Sequence, residues 1–270
     1  MKKLIFPIIA SLIILNGCDK IDNPIQDSNA GGNTGTSLKR RIVIEEFTGQ
    51  LCSQCPGGAA EIDRLVGVYG EQLIPISIHA GAFAEPGNGA PNDFTTPTGT
   101  LLNTTFGVSA WPAGVVSRIN NGNVYGSSQW EGEMITIKDD SPLADITILT
   151  NYNSVTRDVA IQVDTEWLED GESGVNYKLQ VYIIEDHIIA PQVDGATTIS
   201  NYDHRHVMRG AVNTSWGSVV SVSSIGTTDT QNFNFPIDIT WAEANCEVVA
   251  FLYKEGPDYE IMQGNIEHVQ

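Results

Sequence analysis

Apolar and polar positions after residue 40 follow strand spacing, then helix spacing, then strand spacing again. Mostly apolar runs predict strands over residues 42–47 and 73–79. Between these runs, apolar residues at helical spacing continue to Tyr69 and predict a helix. The order strand, helix, strand is typical of the opening of an α/β domain.

The region that follows has a weaker pattern. Residues 80–100 are rich in Gly, Pro, Asn and Thr, and we expect a long loop or insertion there. Helical spacing over residues 100–106, a strand over 114–118 and an amphipathic helix over 127–137 complete this region.

Beyond residue 140 the pattern changes to alternation of apolar and polar residues without intervening helices. This pattern predicts an antiparallel sandwich or barrel. We therefore place a domain boundary near residue 140, with an α/β domain over 38–140 and an antiparallel β-sandwich domain over 141–270. The predicted strands of the second domain cover residues 144–150, 155–167, 177–184, 233–240 and 247–253.

The N-terminal residues have the form of an export signal. Lys2 and Lys3 precede an apolar stretch, residues 4–15, that is too short to span a bilayer. The Leu-Asn-Gly sequence before Cys18 resembles the lipobox of bacterial lipoproteins, in which the cysteine is acylated. The resemblance implies a signal peptide over residues 1–17 and a lipid anchor at Cys18. The alternative is a buried first helix with an incidental cysteine.

Residues 18–37 are small and polar without periodicity, and we expect a flexible, lipid-anchored tether there. Several acyl chains hold a soluble domain on a membrane without a spanning helix. We therefore expect contact with the membrane through the N-terminal lipid only.

Composition narrows the range of partners and cofactors. The chain has 270 residues, a formal net charge of −19 and 41% hydrophobic residues, enough for one or two folded domains. A surface this acidic repels phosphate backbones, so we expect no nucleic-acid partner. The sequence contains no phosphate loop, nucleotide fingerprint or nucleophile elbow, and we expect no cofactor.

Two of the four cysteines form a Cys52-Ser53-Gln54-Cys55 motif between the first predicted strand and the helix. In an exported protein such a motif is a redox dithiol, half of a zinc site or a structural disulfide. Zinc needs two more ligands and the sequence has no second such motif, so we expect no metal. A helix N-terminus stabilises a thiolate on the first cysteine, and we expect both sulfurs to be exposed there.

The strand before this motif resembles the corresponding strand of thioredoxin-fold proteins. Glu46 and Phe47 lie where thioredoxins have an acidic residue followed by Phe. The resemblance implies that Glu46 accepts a proton from Cys55, because a partly buried carboxyl has a raised pKa. Neighbouring strand residues point in opposite directions, so we expect one of Glu45 and Glu46 to face solvent, and we favour Glu46 for the site.

Trp111-Pro112, followed by an apolar strand, is a second point of resemblance. Thioredoxins have a cis-proline loop here that packs on the dithiol and presents backbone to an extended substrate. The resemblance implies a catalytic cis-proline at Pro112 and a substrate groove at Trp111; a trans proline that begins a strand is the alternative. We assign His79 to the same groove, where it tunes the thiolate or bonds to backbone.

Some positions depart from the thioredoxin pattern. Leu51 stands where a Trp is common, and Ser53-Gln54 replaces the usual Gly-Pro. Because these positions influence the reduction potential, its value does not follow from the sequence.

Taken together, the lipobox, residues 45–56, the Ser-Ile-His-Ala-Gly run at 77–81 and the His-Val-Met-Arg-Gly run at 206–210 resemble an outer-membrane lipoprotein family named for its twenty-eight-kilodalton member. The resemblance covers nearly all of the chain after residue 17. It implies a thioredoxin-like domain with an insertion, then a β-rich domain, on the Gram-negative envelope, with either membrane face open. Adhesin or receptor activity has been suggested for the family.

Three other residues are candidates for chemistry. His204 and His206 are two apart, which on a strand directs both to one face; lacking a third nearby ligand, we expect a polar strand edge or domain contact rather than a metal site. Cys246 alternates with apolar residues, and we expect it to pack in a core as a small apolar side chain.

Two functions therefore stay open. The first is a lipid-anchored thiol–disulfide oxidoreductase acting on envelope protein thiols or disulfides, in which Cys52 attacks, Cys55 resolves, Glu46 transfers a proton and Pro112 shapes the groove. The second is an envelope binding or adhesin-like module in which the cysteines form a structural disulfide and the β domain binds a ligand.

Overall fold

The first predicted strand lies at the centre of the protein. In the computed structural model, which describes residues 38–270, β1 covers Ile42–Thr48 and all seven of its residues are buried. It pairs in parallel with β2 (Leu73–His79) and antiparallel with β3 (Ala113–Val116). Burial on both faces explains why these strands are nearly continuous apolar runs.

Four helices are present in the described residues: α1 (Cys55–Tyr69), α2 (Pro97–Thr105), the single turn α3 (Ile119–Gly122) and α4 (Ser127–Ile137). Short 3₁₀ segments cover Gly70–Gln72, Pro86–Asn88 and Glu243–Asn245. The helices predicted up to residue 69 and over 127–137 are thereby confirmed.

Local chemistry explains where these helices begin and which face they bury. The hydroxyl of Thr96 accepts a hydrogen bond from the amide of Gly99 at 2.9 Å and caps α2, which begins at a proline. The apolar side of α1 packs with Trp130 of α4 against one face of β1. This packing fixes the N-terminal end of α1, where the cysteine motif lies.

Ten further strands follow α4. They are β4 (Ala144–Asn153), β5 (Asp158–Trp167), β6 (Tyr177–Glu185), β7 (Ile188–Asp194), β8 (Thr197–His204), β9 (Val207–Ala211), β10 (Ser218–Val219), β11 (Thr228–Pro236), β12 (Cys246–Lys254) and β13 (Ile261–His268). The alternating pattern had predicted β4, β5, β6 and β12, with small shifts at their ends. It placed the start of β11 five residues late and its end four residues late, and it missed β7, β8, β9, β10 and β13.

The main sheet joins strands from both sides of the boundary expected near residue 140. Its order is β13-β12-β6-β9-β2-β1-β3, with β10 paired to β6. Strand β9 lies between β2 and β6, parallel to β2 and antiparallel to β6. Segments 38–140 and 141–270 therefore share one sheet, and residues 38–270 belong to one compact unit.

A second sheet, β11-β5-β4, packs on one face of β6 and β12, and the two sheets share one apolar core. Strands β7 and β8 form a separate antiparallel pair, which we call the cover hairpin. The protein is thus a mixed α/β protein with mostly β-strands and few helices.

The signal peptide, the Cys18 anchor and the tether predicted for residues 1–37 lie outside the described residues, and they stay predictions. Within residues 38–270, no helix is both long enough and apolar enough to cross a bilayer.

Candidate functional site

The two cysteines of the motif form a disulfide between the end of β1 and the start of α1. Cys52 lies in the connecting turn and Cys55 is the first residue of α1, with the two Cα atoms 5.4 Å apart. Their side chains are not at the surface, since Cys52 is 3% exposed and Cys55 is 2% exposed. The expectation of exposed sulfurs at the helix end is therefore wrong.

The cover hairpin encloses the disulfide from one side. The amide of Val193 donates to the carbonyl of Gln50 at 2.8 Å, and the amide of Gly195 donates to the carbonyl of Ser53 at 3.0 Å. The buried side chain of Gln192 donates to the carbonyl of Cys52 at 3.0 Å. The hairpin thus pairs with the backbone of the motif as an added strand would, and it shields the sulfurs from bulk solvent.

The long loop over residues 80–96 encloses the motif from the other side. The amide of Leu51 donates to the carbonyl of Phe83 at 2.9 Å. A Cβ atom at Gly49 would lie 2.5 Å from the carbonyl carbon of Phe83, so only glycine allows this approach. The predicted insertion is therefore part of the wall around the disulfide.

Glu46 is a buried acid beside the disulfide. Its Oε2 accepts a hydrogen bond from the hydroxyl of Ser77 at 3.3 Å, and its Oε1 has no hydrogen-bond partner among residues 38–270. Burial raises the pKa of Glu46 to about 8; the Ser77 hydrogen bond opposes the rise and Asp63 adds to it. Most Glu46 side chains are therefore neutral at pH 7, and they exchange a proton near physiological pH.

Glu45 points to the opposite face of β1, but that face is also covered. Its carboxylate accepts two hydrogen bonds from Arg118, at 2.7 and 2.6 Å, and both side chains are fully buried. The Arg118 guanidinium lies 5.0 Å from the ring centre of Phe251. The expectation that one of the two glutamates faces solvent is wrong, because helices and strands cover both faces of β1.

The Trp111–Pro112 peptide is cis, as the resemblance implied. Pro112 lies against the first turn of α1: a Cβ atom at Gly58 would be 2.7 Å from Pro112 Cβ and 2.7 Å from Glu46 Oε1. Helix, carboxyl and proline therefore meet at a point three residues after Cys55.

A pair of adjacent glycines tests this contact. Gly58→Ala is expected to destabilise the protein by about 1–3 kcal/mol, because the new methyl group overlaps both Pro112 and Glu46. Gly57→Ala is the matched control, since no described atom lies within 4 Å of its added Cβ, and helix propensity makes it neutral or stabilising by up to about 1 kcal/mol. Urea unfolding measures both changes. Equal effects of the two substitutions would contradict the close contact.

His79 is buried and lines a partly enclosed cavity, not an open groove. Both ring nitrogens lack hydrogen-bond partners within the described part of the chain. Burial, with smaller contributions from His204 and Arg209, lowers the pKa of His79 well below its usual value. Burial also lowers the pKa of His204 to about 4, so both imidazoles are neutral at pH 7.

This cavity has a volume of about 40 Å³, and its walls include Glu46, Cys55 and both histidines. The cover hairpin contributes Gln192, Tyr202 and His204 to the walls, and the exposed side chains of Asp63 and Arg205 lie at its rim. A polar cavity of this size holds one or two water molecules, which provides a route for a proton between Glu46 and its surroundings.

The structure brings Cys52, Cys55, Glu46 and Pro112 together. It separates the two residues predicted for the substrate groove, because His79 lines the cavity whereas Trp111 packs on Phe83 and Gly81. The contact with Gly81 is close, since a Cβ atom there would lie 2.3 Å from the indole. Gln192 and Tyr202 are two further residues of the site, and the sequence pattern did not predict them. The nearby Asp-His-Arg-His run was a signal that this region carries chemistry, but nothing in it showed that the region covers the disulfide.

The fold and the site define a class of protein: a β-rich mixed α/β protein with a disulfide and an acidic side chain buried beneath a hairpin. The family model described as "Outer membrane protein Omp28" matches residues 100–270. The chain belongs to the Omp28 family of outer membrane proteins, which agrees with a location at the Gram-negative outer membrane. The matched segment contains Trp111, Pro112 and the cover hairpin and begins after the cysteine motif.

Solved structures are similar to this chain at low sequence identity. HBP35 of Porphyromonas gingivalis has a TM-score of 0.69 at 18% identity, over 86% of this chain and 76% of that chain. Protein AGR_C_4864 from Agrobacterium tumefaciens has a TM-score of 0.54 at 11% identity, over 85% and 94% of the two chains. At these identities, both similarities show a related fold and nothing about activity.

A domain of the outer membrane lipoprotein Omp28 from Porphyromonas gingivalis is 24% identical over 48% of this chain and 91% of that chain, with a TM-score of 0.31. No curated protein matches the chain.

Proposed function

We propose that this protein is a thiol–disulfide oxidoreductase of the Gram-negative cell envelope, with a thioredoxin-like site whose dithiol is covered by the hairpin. The observation that carries the proposal is Glu46: an acid buried beside Cys55, with a pKa of about 8 and one oxygen without a partner within residues 38–270.

Burial of Glu46 lowers the stability of the folded protein. A role in proton transfer explains this buried acid better than a role in stabilising the fold. A buried carboxyl that lacks a hydrogen-bond partner on one oxygen destabilises the folded state. Its pKa of about 8 lies close to the pKa of about 8.5 of a free thiol, so a proton passes between the two with little change in free energy. This matching of pKa values is what a proton acceptor for Cys55 requires.

In the reducing direction, the Cys52 thiolate attacks a substrate disulfide, forms a mixed disulfide and releases one substrate thiolate. The Glu46 carboxylate takes the proton of the Cys55 thiol. The Cys55 thiolate then attacks Cys52 Sγ, breaks the mixed disulfide and releases the second substrate thiolate. The Cys52–Cys55 disulfide is reformed, and two electrons have passed to the substrate. The reverse sequence oxidises a substrate dithiol.

The cover hairpin must open for this exchange, because sulfurs that are 2–3% exposed cannot be attacked in line. Opening breaks five hydrogen bonds: one each from Val193 and Gly195, two from Gln192, and one from Gln50 to Pro191. At about 1 kcal/mol for each bond, opening costs on the order of 5 kcal/mol, so a minor open population carries the reaction. When the hairpin lifts, an extended substrate strand can take its place on the same backbone groups.

The proposed partners follow from location and charge. Lipid at Cys18 would hold the protein on the membrane, and the segment over residues 18–37 would let the folded part reach thiols and disulfides of other envelope proteins. The net charge of −19 disfavours nucleic acid as a partner.

The second candidate is an envelope binding or adhesin-like module in which the disulfide is structural. The burial of both sulfurs favours this candidate, because structural disulfides are shielded from exchange.

The rate at which the protein catalyses the reduction of insulin by dithiothreitol separates the two functions. A substitution at Gln192 tests whether opening of the cover hairpin limits this rate. Gln192→Ala removes the hydrogen bonds to the carbonyls of Cys52 and Gly49, and we expect turnover about 5- to 30-fold faster than in the native protein. The matched control is Gln162→Ala, because that side chain donates to Asp164 on the other sheet and should leave the rate unchanged.

Cys52→Ser should abolish turnover in either background, and unfolding midpoints measured alongside report whether each variant is folded. If neither the native protein nor the folded Gln192→Ala variant exceeds the uncatalysed rate, the oxidoreductase proposal fails and the structural disulfide is favoured.

A further inference from the structure

Metal-binding side chains converge at one end of the main sheet. Asp186 directly follows β6, His206 directly precedes β9, and Glu247 lies at the start of β12. These strands are neighbours in the sheet. One ligand atom from each of the three side chains lies within 4.8 Å of the others.

The backbone holds His206 in place for this cluster. Its φ angle of 55° is in the left-handed region, which costs a residue other than glycine about 1–2 kcal/mol. Its amide donates to Asp186 Oδ1 at 2.5 Å, and its carbonyl accepts from the amide of Ser77 at 2.7 Å. These bonds fix the direction of the imidazole with respect to Asp186.

The imidazole itself has an unsatisfied nitrogen. His206 Nδ1 is buried and lies 3.2 Å from Asp186 Oδ1, yet it makes no hydrogen bond of acceptable angle with any described residue. A buried ring nitrogen without a partner is costly, and a metal ion is one partner that the lone pair of an imidazole binds well.

The charges around the cluster also favour a cation. Asp186 and Glu247 bring two carboxylates to the cluster, with their ligand atoms within 4.8 Å of each other. A divalent cation between the two carboxylates would relieve their repulsion.

We propose that Asp186, His206 and Glu247 bind a divalent metal ion such as Zn²⁺. Mixed nitrogen and oxygen ligands suit Zn²⁺, whereas Ca²⁺ and Mg²⁺ select oxygen ligands alone. His268, on β13 directly opposite Glu247, supplies the fourth ligand after a side-chain rotation: its Nδ1 lies 3.5 Å from Glu247 Oε1, and the side chain is 64% exposed.

Because of its position, the metal would also control access to the disulfide; this part of the inference rests on the proposed function. Asp186 lies just before β7 and His206 lies just after β8, so the two ligands flank both ends of the cover hairpin. A metal that bridges them would hold the hairpin closed over the disulfide. The site would therefore regulate access to Cys52 and Cys55.

Zinc titration of the full-length oxidised protein, stripped with a chelator and free of reductant, tests the site independently of redox activity. We expect one Zn²⁺ per chain at micromolar or tighter affinity by calorimetry, and no comparable binding of Mg²⁺. His206→Ala and Glu247→Gln should each weaken binding at least 10-fold. His187→Ala is the matched control, because its ring pairs with Asp203 at 3.1 Å outside the cluster.

Unfolding midpoints of the metal-free variants show whether the substitutions leave the fold intact. Absence of Zn²⁺ binding by the native protein at 100 µM, or equal binding by the folded His206→Ala and native proteins, would overturn the site.

Hydrogen exchange of the Val193 and Gly195 amides measures whether the metal keeps the cover hairpin closed, and it needs no reductant. Zn²⁺ should slow their exchange in the native protein and leave it unchanged in His206→Ala. Binding without this protection would overturn the regulatory role and keep the metal site, whereas loss of insulin turnover in the test above would leave both metal measurements unaffected.

Discussion

Raising the pH from 5 to 9 should destabilise the protein by about 3 to 5 kcal/mol through Glu46 alone, and Glu46→Gln should remove this loss. The folded protein keeps a proton on Glu46 up to a pKa of about 8, while the unfolded chain releases it near 4.5. Between these values the folded state binds more protons, so the free energy of unfolding falls as pH rises. The stabilising contribution is complete below pH 4.5 and is lost by pH 8 and above.

Urea unfolding at several pH values measures this effect. At pH 5 the native protein and Glu46→Gln should have similar stability, because each has a neutral side chain that can pair with Ser77. At pH 9 the variant should be the more stable by several kcal/mol. Glu166→Gln, at an exposed carboxylate on β5, is the control and should follow the native curve. Parallel curves for Glu46→Gln and the native protein would show that Glu46 is not a buried acid.

The second large effect concerns the buried ion pair on the other face of β1. Glu45→Gln should cost about 3–5 kcal/mol of stability, because it leaves the Arg118 charge buried without a counter-charge. The surrounding aromatic rings of Phe106, Phe251 and Tyr253 lie 5.0–5.5 Å from the guanidinium and cannot replace a carboxylate.

A double substitution distinguishes the loss of a partner from the loss of packing. Glu45→Leu combined with Arg118→Met removes both charges and keeps apolar volume, so it should recover most of the stability lost by Glu45→Gln. Denaturant midpoints give the comparison. A cost below about 1 kcal/mol for Glu45→Gln would mean that water reaches the pair.

Local pattern was sufficient for the elements that form by short-range pairing. Residues 42–79 gave strand, helix and strand with ends close to those observed, because their apolar spacing is set by burial on the sheet. The same reasoning found β4, β5, β6 and β12. The cis-proline and the glutamate beside the cysteines came from resemblance to thioredoxin-fold proteins and not from spacing.

The sequence did not show which segments that are far apart along the chain come into contact. The hydrogen bond from Gln192 to Cys52 joins residues 140 positions apart, and no local periodicity reports such a contact. Most residues of β8 are exposed, so the strand lacks the alternation that marks β4 or β5. The expectation for Glu45 failed for the same reason, because its partner Arg118 is 73 residues away in the sequence.

As an oxidoreductase, the protein would exchange electrons between its covered Cys52–Cys55 disulfide and other thiols. The reduction potential of this disulfide, measured by equilibration of the full-length protein in glutathione buffers, tests the proposed function most directly. We predict a value at or above about −270 mV, in the range of thiol–disulfide oxidoreductases. A value below about −300 mV, typical of structural disulfides, would contradict the account.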